Sequence, residues 1–156
     1  MSLDGEKPKR SWLRHGVPEQ VGDVDPVFFL TICCQQRGLN QLAKEPAWSF
    51  LLETVERRNA RGIWHCSLFL AMPDHVHGLF RFAGTSGMKD AVADWKRWCG
   101  SRSEIVWQKG FFDHRLRSWE SGEEKRRYIL MNPVRAGLVE HPDHWPFVYD
   151  GSRNNR

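Results

Sequence analysis

The sequence predicts an α+β domain in which a small antiparallel sheet carries helices on one face. Three observations predict it. Strand-like and helix-like segments alternate along the chain, two strand-like runs are separated only by a Pro-Asp turn, and the last helix carries its own start and stop signals. At 156 residues the chain suits one domain with a real core and is too short for two.

Residues 1–24 are polar and contain Pro8, Gly16, Pro18 and Gly22, the composition of a flexible arm. Val27 to Ile32 is β-branched and aromatic, entered through Pro26 and left through Gln35-Gln36-Arg37-Gly38, and reads as a strand. Trp48, Leu51, Leu52 and Val55 recur at helical spacing, and Gly62 marks the end of that helix. Trp64–Leu70 and Val76–Phe82 form a hairpin around Ala71-Met72-Pro73-Asp74. Residues 88–99 read as a helix with either Met88, Val92 and Trp95 or Ala91, Trp95 and Trp98 on a common side, and Lys96-Arg97 between. Phe111 to Arg117 reads as a short strand of alternating charge.

The last helix starts at Ser121, an N-cap with Glu124 three residues on. It runs towards Asn132, because Pro133 disfavours helical geometry in the residue before it. Pro133 opens a further short turn, stopped by Gly137. Tyr149 falls in an expected C-terminal loop. The expected layout is one domain over residues 25–149 with a disordered tail at 150–156.

Composition narrows the function. Hydrophobic residues make up 40% of the chain before glycine is counted, which excludes a disordered or low-complexity protein. No run approaches the roughly 18 apolar residues of a membrane span, and the first ten residues hold no apolar signal core. A soluble, cytoplasmic protein is expected. The four cysteines form no CxxC pair and sit among apolar neighbours, as buried free thiols in a reducing compartment do.

The net charge of +4 is unevenly spread: residues 1–50 are neutral, whereas residues 95–135 carry ten basic and five acidic side chains. Such a stretch suits a phosphate backbone, or equally a solvated face. Eight Trp and nine Phe against two Tyr add rings that can stack unpaired bases, although most belong in a core.

Two constellations carry chemistry. In a strand His75 and His77 point the same way, with Val76 towards the core, so two imidazoles stand together as ligands for a divalent ion that still needs a third donor. An isolated His-x-His also arises by chance. On the last helix Tyr128 and Asn132 are one turn apart on one face, a phenol beside an amide. With a pKa near 10, a tyrosine nucleophile needs a nearby cation. The alternative is a packed helical Tyr beside Met131, with Asn132 serving only as a helix end.

Met72-Pro73-Asp74-His75-Val76-His77, Trp107-Gln108-Lys109-Gly110-Phe111-Phe112-Asp113-His114 and Tyr128-Ile129-Leu130-Met131-Asn132-Pro133-Val134-Arg135-Ala136-Gly137-Leu138-Val139 resemble the three blocks of the REP-associated tyrosine transposases. These are single-tyrosine HUH (His-hydrophobic-His) endonucleases of the insertion-sequence transposase superfamily. Trp145-Pro146-Phe147 resembles their closing block, and the likeness covers about residues 25 to 149 in order. Asp74 stands where the family often has Asn.

The resemblance implies a ferredoxin-like (RRM-like) fold and transposition or DNA recombination chemistry on single-stranded DNA beside small hairpins. It implies that Tyr128 is the nucleophile, that His75, His77 and Asn132 hold Mg²⁺ or Mn²⁺, and that a covalent 5′-phosphotyrosine forms. Lys96, Arg97, Arg102, Lys109, Arg115, Arg117, Arg127 and Arg135 become candidate DNA contacts. Asp113 and His114 become a candidate pair orienting a metal ligand, or else a pair that merely fixes their strand. A monomer acting on nucleoid DNA is expected rather than a homodimer. The competing readings are a nucleic-acid-binding module that does not cut, and a metal-dependent nuclease that uses water.

Overall fold

A computed structural model describes residues 25–83, 87–117 and 119–153. The expected arm at 1–24 and residues 154–156 of the expected tail lie outside the described residues. The elements run β1 (Phe28–Cys33), α1 (Ala47–Ala60), β2 (Trp64–Ala71), β3 (His75–Phe82), α2 (Gly87–Arg102) and β4 (Phe112–Arg115). They continue as α3 (Gly122–Leu130), α4 (Asn132–Arg135), a 3-10 turn (Pro142–His144) and β5 (Val148–Asp150). The sheet is antiparallel throughout, in the order β4-β1-β3-β2-β5. The first six elements form the β-α-β-β-α-β unit of ferredoxin-like folds.

Both faces of the sheet are apolar, and the hairpin explains why. Leu68-Phe69-Leu70-Ala71 is a continuous apolar run, the pattern of a strand buried on both sides. On one face Leu30, Ile32, Phe69, Val76 and Phe80 pack against Trp48, Leu51 and Val55 of α1 and against Val92, Trp95 and Cys99 of α2. This is the expected helical layer, and the larger core. On the other face Phe29, Leu68, Leu70 and Leu79 pack against Ile129 of α3 and against Trp145. The helix that carries Tyr128 therefore lies across the sheet from α1 and α2. A bulge between Cys66 and Leu68 switches the phase of β2, so both cores keep their apolar residues.

Local signals behave as expected at the ends. Gly62, with φ 69°, follows α1, and Ser121 Oγ accepts from the Glu124 N–H at 3.3 Å to cap α3. Tyr149 departs from expectation: it lies in β5, not in a loop. β5 is three residues long, too short to show alternation, and it exists because Phe69 and Leu70 pair with it along the open edge of β2. It extends to Asp150, which is buried and ion-paired with Arg126 of α3. Among the described residues no helix is long and apolar enough to cross a membrane.

Candidate active site

The start of β3 puts the two histidines where strand alternation requires, on the α3 face, with Val76 in the opposite core. His75 Nε2 and His77 Nε2 lie 3.1 Å apart. Each ring is held from behind. His75 Nδ1–H donates to Asp74 Oδ1 at 2.7 Å, and His77 Nδ1 meets Thr31 Oγ1 at 2.9 Å. Asp74 is itself anchored by the Gly38 N–H and by Arg37. Burial raises its carboxyl, but the hydrogen bonds from Gly38 and His75, with Arg37, outweigh that and hold it below the usual range.

Burial pushes both imidazoles towards the neutral form. His77 falls to about 3, with His75 and Arg135 adding to the effect, and His75 falls less because Asp74 opposes its burial. Neutral rings are the ligand form. An ionised Asp74 only accepts, so His75 carries its proton on Nδ1 and has a free lone pair on Nε2. His77 Nε2–H then donates across the 3.1 Å gap and its Nδ1 accepts from the Thr31 hydroxyl. The threonine can reverse that bond, because a hydroxyl both donates and accepts. The reversed tautomer aims two lone pairs at one point.

Two donors at right angles on one ion, each about 2.1 Å from it, are about 3 Å apart, so the pair fits a small divalent cation. Among the described residues no group of three or more His, Cys, Asp or Glu side chains forms a metal-holding cluster. The third donor expected, Asn132, would offer an amide oxygen. That residue opens α4 and is half-buried. Met131 joins α3 to α4 with φ −81° and ψ −7°, and it donates to Arg127 O and accepts from Arg135 N–H. Helical hydrogen bonding thus continues through the junction, which keeps Asn132 one turn beyond Tyr128.

Tyr128 is 50% exposed. Ile129 beside it is fully buried, so α3 is pinned to the sheet while the phenol faces outward. Phe29 links the phenol to the histidines: its ring stacks on His77 at 5.4 Å and meets Tyr128 edge-on at 6.2 Å. Two cations flank the phenol. Lys125 Nζ lies 5.3 Å from the Tyr128 ring centroid, and the Arg135 guanidinium lies 4.2 Å from it. Glu124, Arg127, Tyr128, Met131 and Arg135 line a shallow concavity there. The arrangement suits a tyrosine nucleophile beside a cation site, with positive charge around both.

The candidate DNA contacts are divided by the sheet. Arg127 and Arg135 gather at Tyr128. Lys96, Arg97 and Arg102 sit on α2, which covers the other face. There the Lys96 ammonium is occupied by Gln108 O and Gly110 O, at 2.6 and 2.7 Å, and tethers the turn that holds Lys109. Arg97 pairs with Asp94, and Arg102 lies over Trp98. Arg115 is exposed at the end of β4, and Arg117 approaches Trp119.

Asp113 and His114 point to opposite faces of β4 and do not form a pair. His114 Nε2 instead meets Glu120 Oε2 at 2.9 Å, tying the following loop to the strand, and this bond holds the Glu120 carboxyl below the usual glutamate range. Asp113 is exposed.

Four residues of the site escaped the sequence reading: Phe29, Thr31, Asp74 as the anchor of His75, and Lys125. Only Asp74 had a signal, since a carboxylate next to a ligand histidine is a common orienting partner. The other three reach the site through cross-strand register and helix packing.

The antiparallel sheet thus carries a His pair on one strand, with an exposed tyrosine on the helix that packs across that face. In sequence the chain is similar to the REP-associated tyrosine transposase of Escherichia coli (strain K12), 27% identical over 127 residues that span 77% of this chain and 73% of that protein. In fold it matches the structure of a REP-associated tyrosine transposase bound to a REP hairpin, with a TM-score of 0.66 and 18% identity over 87% of this chain and 81% of that one. No family model matches the chain. The resemblance to REP-associated tyrosine transposases thus holds in both sequence and fold, and it supports a transposase-like function.

Proposed function

We propose that this protein cleaves and rejoins single-stranded DNA beside a hairpin, with Tyr128 as nucleophile. The observation that carries the reading is the convergence of two neutral imidazoles, 3.1 Å apart, on the face from which Tyr128 projects, with Phe29 touching both groups. The bound hairpin of the structural relative supports the DNA class.

His75, His77 and Asn132 would hold Mg²⁺ or Mn²⁺, whose chemistry here is to polarise the scissile phosphate and offset the charge that develops on it. Arg135 and Lys125 hold positive charge at the phenol, and the phenolic proton passes to solvent as the oxygen attacks. The Tyr128 oxygen attacks phosphorus, the bond to the 3′ oxygen breaks, and that oxygen takes up a proton. A 5′-phosphotyrosine and a free 3′-OH result. The phosphodiester is conserved, so a second 3′-OH can reverse the step and join strands without an external energy source. Each reacting group lies on one chain, so a monomer suffices.

The test is a gel assay of the wild type and Tyr128→Phe with Mn²⁺ on a panel of hairpin-bearing single strands. A covalent protein–DNA band that disappears in the variant is expected. Cleavage that persists in Tyr128→Phe would assign the nucleophile to water, and binding without cleavage by the wild type would make the protein a non-cutting module.

A further inference from the structure

We infer that Phe112 is a stacking platform for one unpaired base of the DNA strand, set on the sheet beside the histidine pair. The inference rests on the DNA-processing reading above. Phe112 is 57% exposed, although it occupies the sheet face that elsewhere packs against α3. An exposed phenylalanine alone means little. This one is placed and held. It pairs across the sheet with Thr31, which pairs on its other side with His77, so Phe112, Thr31 and His77 stand in one row on one face. Two strand spacings put its backbone about 10 Å from that of His77, roughly the reach of one or two nucleotides. The ring meets buried Phe29 edge-on, at 6.2 Å and 69°, so a neighbour that is itself stacked on His77 fixes it.

The surroundings select the occupant. Lys125 Nζ lies 5.0 Å from the centroid of that same Phe29 ring, and Arg135 lies over Tyr128. An apolar ring with cations nearby suits a ligand with a flat π-face on an anionic backbone, which is a nucleotide in a single strand. A paired base keeps its faces stacked within the duplex, so the platform selects the single-stranded flank over the hairpin stem. Its grip is also tolerant of sequence, because every base has a π-face.

The test compares fluorescein-labelled hairpin DNA bearing a six-nucleotide dT flank with the same hairpin lacking the flank. Wild type, Phe112→Ala, Phe112→Leu and Phe112→Trp are measured by anisotropy, with thermal melts to confirm folding. Phe112→Ala and Phe112→Leu are expected to bind the flanked DNA about tenfold more weakly, which is about 1.4 kcal/mol, and Phe112→Trp to retain wild-type affinity. Binding of the unflanked hairpin stays unchanged in all four. A 2-aminopurine placed in the flank is quenched by wild type and not by Phe112→Ala.

Full affinity in Phe112→Leu, or an equal loss on both DNAs, overturns the platform. A wild type that binds neither DNA overturns this inference together with the proposed function. A covalent band formed by wild type, with Phe112→Ala binding the flanked DNA normally, overturns the platform alone.

Discussion

The guanidinium of Arg135 lies 4.2 Å from the centroid of the Tyr128 ring, and its Nη2 donates to the Tyr128 carbonyl at 2.6 Å. One side chain from α4 thus grips both the ring and the backbone of a residue one helix earlier. It also adds to the depression of His77, so its charge reaches the histidine pair. Arg135 therefore contacts the phenol directly and acts on His77 through its charge.

That position predicts a positioning role beyond simple phosphate contact. Arg135→Lys keeps the charge but loses the planar fork that both contacts use. Covalent adduct formation should slow by about tenfold to a hundredfold, as expected for losing one cation–π contact and one charged hydrogen bond. Affinity for hairpin DNA should change by no more than about threefold. Single-turnover gel kinetics at saturating DNA separates the two effects, and a loss confined to affinity would reduce Arg135 to a phosphate contact.

A second prediction concerns how α3 is fastened. Arg126 pairs with buried Asp150 of β5, which also receives Arg153 and the Ser152 backbone N–H and hydroxyl. Removing one partner of a buried ion pair costs several kcal/mol because a charge is left behind. Arg153 still reaches Asp150 in Arg126→Ala, so about 2 kcal/mol is expected there. Asp150→Ala leaves the largely buried Arg126 guanidinium without its partner, while exposed Arg153 turns to solvent, and about 3 kcal/mol is expected. Urea denaturation checks the order. Hydrogen exchange should show the loss concentrated in α3, and an even loss across the sheet would argue against this anchor.

The cysteines supply a pH-dependent prediction. Burial pushes the Cys34 and Cys99 thiols up to about 12, helped at Cys34 by the Asp74 charge, and drives fully buried Cys66 higher still. A raised thiol pKa keeps the thiolate scarce, so moving from pH 7 to pH 9 adds almost no nucleophile at these three sites. In the native protein a thiol reagent should modify no more than Cys33, which is half-buried, at either pH. All four should react in denaturant. Rapid modification of two or more in the native state would show that the core around α1 and α2 opens.

Much of this arrangement was legible in sequence, because it depends on short periods. Alternation places His75 and His77 on one face, and Ser121 and Pro133 mark the ends of the tyrosine helix through chemistry that acts within four residues. The rest depends on partners far along the chain. Nothing in Phe112-Asp113-His114-Arg115 says that His114 bonds Glu120, because either face of a short edge strand can be the covered one. Lys96 reads as a free cation until the turn at Gln108–Gly110 folds back on it. The expected layout put the helices on one face of the sheet, whereas α3 lies opposite α1 and α2; the continuous apolar run Leu68–Ala71 suits a strand covered on both sides, and its bulge at Ser67 is set by pairing and by no residue in the run.

The last prediction isolates the residues behind the histidines. Partners that hold the far nitrogen of a ligand histidine fix its tautomer and aim, and losing one costs about tenfold to a hundredfold in metal affinity. Asp74 holds His75 at 2.7 Å, and Thr31 holds His77 at 2.9 Å. Thr31→Val keeps the β-branched shape but cannot accept from Nδ1–H, so it opposes the tautomer that frees His77 Nε2 as a donor. Thr31→Ser retains the hydroxyl. Mn²⁺ affinity, measured by electron paramagnetic resonance on the DNA-free protein, should fall at least tenfold in Asp74→Ala and Thr31→Val and stay near wild type in Thr31→Ser. Because that titration involves no DNA and no tyrosine chemistry, it reports on the cation site apart from the reaction. Equal Mn²⁺ affinity across all of these proteins would remove the tautomer argument and leave the 3.1 Å contact as an ordinary hydrogen bond between two histidines.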